Sequence, residues 1–105
     1  MMETKRQYVR VDFRTDVEVL VDGASQPGRT VNISQGGVLV VTSPAPKLGD
    51  KVVLRLRLPG AGVTSELSCI VRWSKEPEDV GLQFENLRAI EVWALNKLLK
   101  SLHTS

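Results

Sequence analysis

Residues 29–42 read RTVNISQGGVLVVT, and this stretch decides the fold. Two short runs rich in Val, Ile and Thr, 29–33 and 38–42, flank Ser34-Gln35-Gly36-Gly37. Such residues fit a pleated, half-buried surface. Four residues holding two glycines make a loop of hairpin length, with the glycines free to take positive φ. The stretch therefore predicts an antiparallel hairpin with strands over 29–33 and 38–42.

The same pattern continues outward. Pro44 and Pro46 end the second strand. In 51–58, Val52, Leu54, Leu56 and Leu58 alternate with Lys51, Val53, Arg55 and Arg57, so one face is apolar and the other mostly cationic. Pro59-Gly60-Ala61-Gly62 closes that strand. A further strand over 65–73 puts Leu67, Cys69, Val71 and Trp73 on one face, and another covers 80–84. Upstream, 10–21 alternates through Val11, Phe13, Val17, Val19 and Val21 and stops at the turn pair Asp22-Gly23. Six strands joined by short turns predict an antiparallel barrel, closed or nearly so. Phe13, Trp73 and Phe84 fall on its core side.

Beyond residue 86 the period changes. Leu87, Ile90, Ala94, Leu98 and Leu102 recur at helical spacing, widened by Val92, Leu95 and Leu99, which predicts a helix over 87–102. Asn86 can cap its start, and Lys97 and Lys100 suit the negative end of its dipole. The fold class expected is all-β with a C-terminal helix. Residues 1–12 are expected to form a flexible basic arm and residues 13–105 the barrel with its helix.

Composition narrows the function. With 105 residues, 42% hydrophobic and 25% charged, the chain is one ordinary globular domain. Aromatic residues are only 5%, so aliphatic side chains must fill the core. A net charge of +2 is too small for a dedicated nucleic-acid binder, and no strand face pairs aromatics with a basic groove, so no DNA or RNA partner is expected. The one cysteine, Cys69, lies in an apolar run and reads as a buried hydrophobe. No apolar stretch approaches the 18 residues of a membrane span, and residues 1–13 lack a signal-peptide core, so a cytoplasmic protein is expected. Catalysis is not expected. The single histidine, His103, has no cysteine or carboxylate cluster beside it for a metal. No phosphate loop or nucleophile elbow is present. Asp16 and Glu18 read as a solvated strand face.

Two short constellations carry chemistry. Arg6-Gln7-Tyr8-Val9-Arg10 spaces two arginines four apart just before the first strand. A guanidinium can bond phosphate oxygens in pairs, bond guanine O6 and N7, or stack on a base. Asn32-Ile33-Ser34-Gln35-Gly36-Gly37 places Asn32 and Ser34 two apart, on one side of a strand end, with Ile33 turned inward. Asn32 and Ser34 offer an amide and a hydroxyl to a base edge, and Gly37 allows close backbone approach.

Arg6 and Arg10 ahead of Asn32, Ser34 and Gly37 resemble the paired motifs of the PilZ domain family. Val80-Gly81-Leu82-Gln83-Phe84 is similar to its late strand, and the C-terminal helix falls where that family has one. The resemblance implies a six-stranded antiparallel PilZ-type barrel that binds cyclic di-GMP, needs no cofactor, and relays the signal to an effector protein controlling motility, polysaccharide or biofilm. By the same resemblance, Arg6 and Arg10 grip phosphates and guanines. Asn32 and Ser34 bond a guanine edge, the Asn32 oxygen facing guanine N–H groups. Gly37 keeps the loop open, and Lys5 and Gly36 are additional ligand positions. The alternative is a PilZ-like domain that has lost the ligand and serves only protein contacts. On the helix, Trp93 falls at the edge of the polar side and is the expected partner-facing residue.

Overall fold

The structure, a computed structural model, describes residues 10–58, 64–75 and 77–104. The strands are β1 (Val11–Asp12), β2 (Asp16–Val21), β3 (Ala24–Ile33), β4 (Gly37–Thr42), β5 (Lys51–Arg57), β6 (Thr64–Lys75) and β7 (Asp79–Phe84). Helix α1 (Ala89–Thr104) follows. All pairings are antiparallel. The order β3-β2-β5-β6-β7-β4, with β4 paired back to β3, closes a six-stranded barrel. The expected barrel and C-terminal helix are both present.

Each barrel strand contributes one aliphatic side chain with no exposure: Val19, Ile33, Val40, Leu54, Leu67 and Val80. Ala94, Leu95 and Leu98 of α1 are buried in the same cluster. At about 25 cal/mol per Å² of apolar surface, such an aliphatic core supplies most of the driving force without large aromatics. Cys69 lies within it, and burial pushes its thiol up to about 12.

The first strand differs from the continuous 10–21 of the sequence pattern. It is broken into β1 and β2, and β1 adds a seventh, two-residue strand through Val11↔Ile33 and Asp12↔Asn32. The break matches a bulge in β3, where pairing with β4 steps from Thr30↔Val40 to Asn32↔Leu39 and leaves Val31 over. Thr30 fills the gap from inside. Its buried hydroxyl accepts the Thr15 N–H and donates to the Phe13 carbonyl. A bulge of this kind bends the strand and re-aims its side chains. Ile33 thus stays in the core while Asn32 faces outward next to β1.

A second bulge corrects the assignment of Trp73. Against β7, β6 steps from Val71↔Leu82 to Trp73↔Gly81. The extra residue inverts the alternation, because strand side chains switch face at every position. Trp73 leaves the core and is 43% exposed.

The helix also differs from its expected start. Asn86 takes φ 51 after β7 and does not cap α1, which begins at Ala89 rather than residue 87. Arg88 stands at the cap, its carbonyl accepting the Val92 N–H. Glu91 reaches back to the Arg88 N–H at 2.9 Å and to its guanidinium at 2.6 Å, the second half of a capping box. The buried stripe is therefore Glu91, Ala94, Leu95 and Leu98, and Ile90, expected inside, is exposed.

Burial pushes the Glu91 carboxyl up, but the bonds from Arg88 outweigh it and hold it below the usual carboxylate range. A depressed folded value contributes stability above the unfolded value and loses it as pH falls through the folded one. Glu91→Gln should therefore cost about 1 kcal/mol at neutral pH, a typical cap, and the gap to wild type should close below about pH 4. Urea melts at several pH values check this.

Candidate functional site

The β3–β4 hairpin builds one wall of the site. Ser34 is buried, and its Oγ accepts the N–H groups of Gly36 and Gly37, both at 3.2 Å. Its own N–H donates to the Gly37 carbonyl at 2.8 Å. The Gly36 carbonyl accepts the Phe84 N–H at 2.9 Å, which ties the loop to β7. Ser34 therefore shapes the loop from within.

Positive φ was the expected reason for the two glycines, yet neither takes it. Gly23 and Gly49 are the glycines with positive φ among the described residues. Gly37 is needed because a Cβ there would overlap the Leu82 carbonyl oxygen of β7.

The two motifs meet at Arg10 and Asn32. Arg10 Nη1 donates to Asn32 Oδ1 at 2.9 Å across 22 residues of sequence. The β1–β3 pairing brings them together, since β1 follows directly on Arg10 and Asp12 faces Asn32. The Asn32 oxygen thus already accepts one bond and keeps a second lone pair, and its amide N–H₂ can also donate. Lys5 and Arg6 lie outside the described residues.

Beside Arg10 opens a cleft of about 690 Å³, within the range of small-molecule sites. One side is Arg10 and the loop from Ser34 to Gly37. Gln83, paired with Gly37, continues the lining on β7, Arg72 and Trp73 lie one strand further on β6, and Asn86 follows β7. The sequence pattern gives none of these four, because each depends on the β6 bulge or on the β4–β7–β6 strand order. Gly81 permits the arrangement, since a Cβ there would collide with the Trp73 indole lying over it. The signal in the sequence was that glycine: a side-chain-free position in a strand marks close approach.

No carboxylate lines the cleft among the described residues, whereas Arg10 and Arg72 do. The cleft suits an anion with flat, edge-polar rings: guanidinium groups for phosphate, an indole for stacking, and amides for base edges. Three acids elsewhere on the barrel are paired with arginines. Asp16 pairs with Arg29 at 2.7 Å, and Glu18 with Arg55 at 2.7 Å, which also bridges Glu66 at 2.9 Å. No metal-ligating cluster occurs among the described residues. No described helix is long and apolar enough to cross a membrane.

The chain is thus a closed six-stranded barrel with a C-terminal helix and an arginine-bearing cleft beside a hairpin loop. The chain belongs to the PilZ domain family, whose model matches residues 4–101.

Solved structures share the fold. The inhibitor of motility MotI/DgrA of Bacillus subtilis superposes with a TM-score of 0.77 and 26% identity over 97% of this chain. This chain spans only 53% of that protein. The PilZ domain of Escherichia coli YcgR, solved with c-di-GMP, gives a TM-score of 0.74 at 13% identity, covering 96% of this chain and 93% of that one. The PilZ domain of CeSA from a cellulose-synthesizing bacterium gives 0.72 at 20% identity, covering 90% and 98%. At their identities, the last two share the fold alone. No curated protein matches the sequence significantly.

Proposed function

We propose that this domain is a cyclic di-GMP receptor that relays the messenger to an effector protein and catalyses nothing itself. The observation that carries the proposal is that Arg10, bonded to Asn32, lines a cleft with no acid among the described residues and with Trp73 and Arg72 also in its lining. Arg10, with Arg6 four residues before it, takes the phosphodiesters. Asn32 donates its amide N–H₂ to a guanine edge. Trp73 offers a stacking face to a base, and Arg72, with no acid partner among the described residues, takes the remaining phosphate charge. Ser34 and Gly37 hold the loop at the right height. The E. coli neighbour was solved with this nucleotide, and the B. subtilis neighbour is an inhibitor of motility, which supports motility as one output.

One observation favours the ligand-free alternative: Ser34 and Gly37 are fully explained by loop geometry, so their presence alone does not require a nucleotide.

Calorimetric titration with cyclic di-GMP, beside a GTP control, separates the two. A receptor shows saturable binding of the dinucleotide and none of GTP. Trp73→Ala should then weaken binding roughly ten- to a hundredfold, from about 1–3 kcal/mol of stacking, with little change in melting temperature because the indole lies outside the core. Absence of wild-type binding would leave a domain that only contacts proteins.

A further inference from the structure

Five large apolar side chains are exposed among the described residues, and three of them, Ile90, Val92 and Trp93, occupy one turn of α1. They are 53%, 42% and 48% exposed, although the helix buries a separate face in the barrel. Ile90, Trp93 and Lys97 fall on one outward stripe at helical spacing, with Val92 and Asn96 on the stripe beside it. The Lys97 ammonium lies 4.9 Å from the centre of the Trp93 ring and holds the indole along the helix surface. The helix's own acid, Glu91, is buried against Arg88, while Lys97 is exposed beside Trp93.

This face is tied to the cleft. Gln35, in the β3–β4 loop, donates from Nε2 to Asn96 Oδ1 at 2.6 Å. Asn96 stands one turn from Val92 and three residues from Trp93, so the loop that lines the cleft is bonded to the stripe bordering the apolar patch.

We propose that the outward face of α1 is a docking surface for an effector protein that presents an apolar helix flanked by carboxylates. Its affinity is set by the state of the β3–β4 loop through Gln35 and Asn96. The apolar patch supplies the contact area, with Trp93 as its anchor. Lys97 selects the sign of the partner, since complementary charge decides which partner is accepted. A second copy of the chain is a poor occupant, because its own α1 brings Lys97 and no exposed acid of its own. A lipid surface is also a poor one, because the broad apolar face such binding needs is already inside the barrel. The dependence on nucleotide rests on the receptor reading above; the docking surface does not.

The test uses the ¹⁵N-labelled full chain, with the Trp93 indole N–H resonance assigned by its loss in Trp93→Phe. The probes are a synthetic amphipathic helical peptide with a leucine face flanked by glutamates, the same peptide with lysines for glutamates, and phosphatidylglycerol vesicles. The glutamate peptide should move the Trp93 signal saturably, and Lys97→Glu should weaken it at least tenfold. The lysine peptide and the vesicles should leave the signal in place. Adding cyclic di-GMP should change the peptide affinity at least threefold in wild type and not in Asn96→Ala, whose residue lies outside the cleft. No response to the glutamate peptide overturns the docking surface. Binding to vesicles, or a Trp93 shift with protein concentration alone, overturns the choice of occupant. Nucleotide bound by calorimetry with unchanged peptide affinity overturns the coupling. Absence of nucleotide binding in calorimetry is instead a failure of the receptor reading, with the peptide response still decisive for the surface.

Discussion

Gly37→Ala should destabilise the protein by about 3 kcal/mol, the upper end of what overpacking costs, and leave ligand binding undetectable where the protein no longer folds. The added methyl would overlap the Leu82 carbonyl oxygen, which is backbone and cannot rotate aside. Relief requires β4 and β7 to separate. Those strands are paired from Gly37↔Gln83 to Val41↔Asp79, and the neighbouring Gly36 carbonyl holds the Phe84 N–H. Opening this seam unpairs backbone groups in a barrel that has no spare edge. Against a typical total of 5–15 kcal/mol, the loss is a large fraction. Gly23→Ala is the useful contrast. Its added methyl meets open space, and only the φ of 81° resists it, so a cost nearer 1 kcal/mol is expected. Urea midpoints of the two variants check the difference. Equal midpoints would show that β7 yields to Gly37 without cost. The result also bears on how this motif glycine is understood, because a binding defect in Gly37→Ala would reflect a sprung barrel and not a lost ligand contact.

The residues show why the barrel was legible and half of the site was not. Strict alternation in 51–58 comes from pairing with neighbours on both sides, and it survives into the structure with Val52, Leu54 and Leu56 buried. Alternation fails wherever a bulge adds a residue. The β6 bulge is invisible in the sequence, since Leu67, Cys69 and Val71 set a parity that Trp73 appears to continue and then breaks. The helix misled in a similar way. Counting from Leu87 made Ile90 a core residue, but the left-handed turn at Asn86 delays the helix, and an acid, Glu91, sits in the buried stripe. The near side of the cleft was legible because Arg10 and Asn32 belong to recognisable motifs. Their meeting across 22 residues needed the β1–β3 pairing. The rest was not legible, because Arg72, Gln83 and Asn86 join Arg10 and the loop only through strand order.

Arg10→Ala should weaken cyclic di-GMP binding by roughly a hundredfold or more while leaving the melting temperature nearly unchanged. The two outcomes have separate causes. The Arg10–Asn32 bond is exposed, so water replaces it in the variant at little cost to the fold. Binding is different, because the cleft has no acid among the described residues and Arg10 is one of its two described cations. A guanidinium has five N–H donors, and only one is directed at Asn32, so the rest are available to a phosphodiester. Each charge-assisted bond is worth about 1.5–3 kcal/mol, so losing two gives the expected factor. Arg10→Lys keeps the charge but loses the planar fork, and should recover only part of the affinity. Asn32→Ala should cost less than Arg10→Ala. The double variant should cost less than the sum of the two, because Asn32 helps to hold the guanidinium in place and has nothing to hold once it is gone. Calorimetry on the wild type and the four variants decides the matter. Full additivity would mean that Arg10 and Asn32 meet the ligand independently. Wild-type affinity in Arg10→Ala would reduce their contact to a surface hydrogen bond and move the search for the anion site to Arg72.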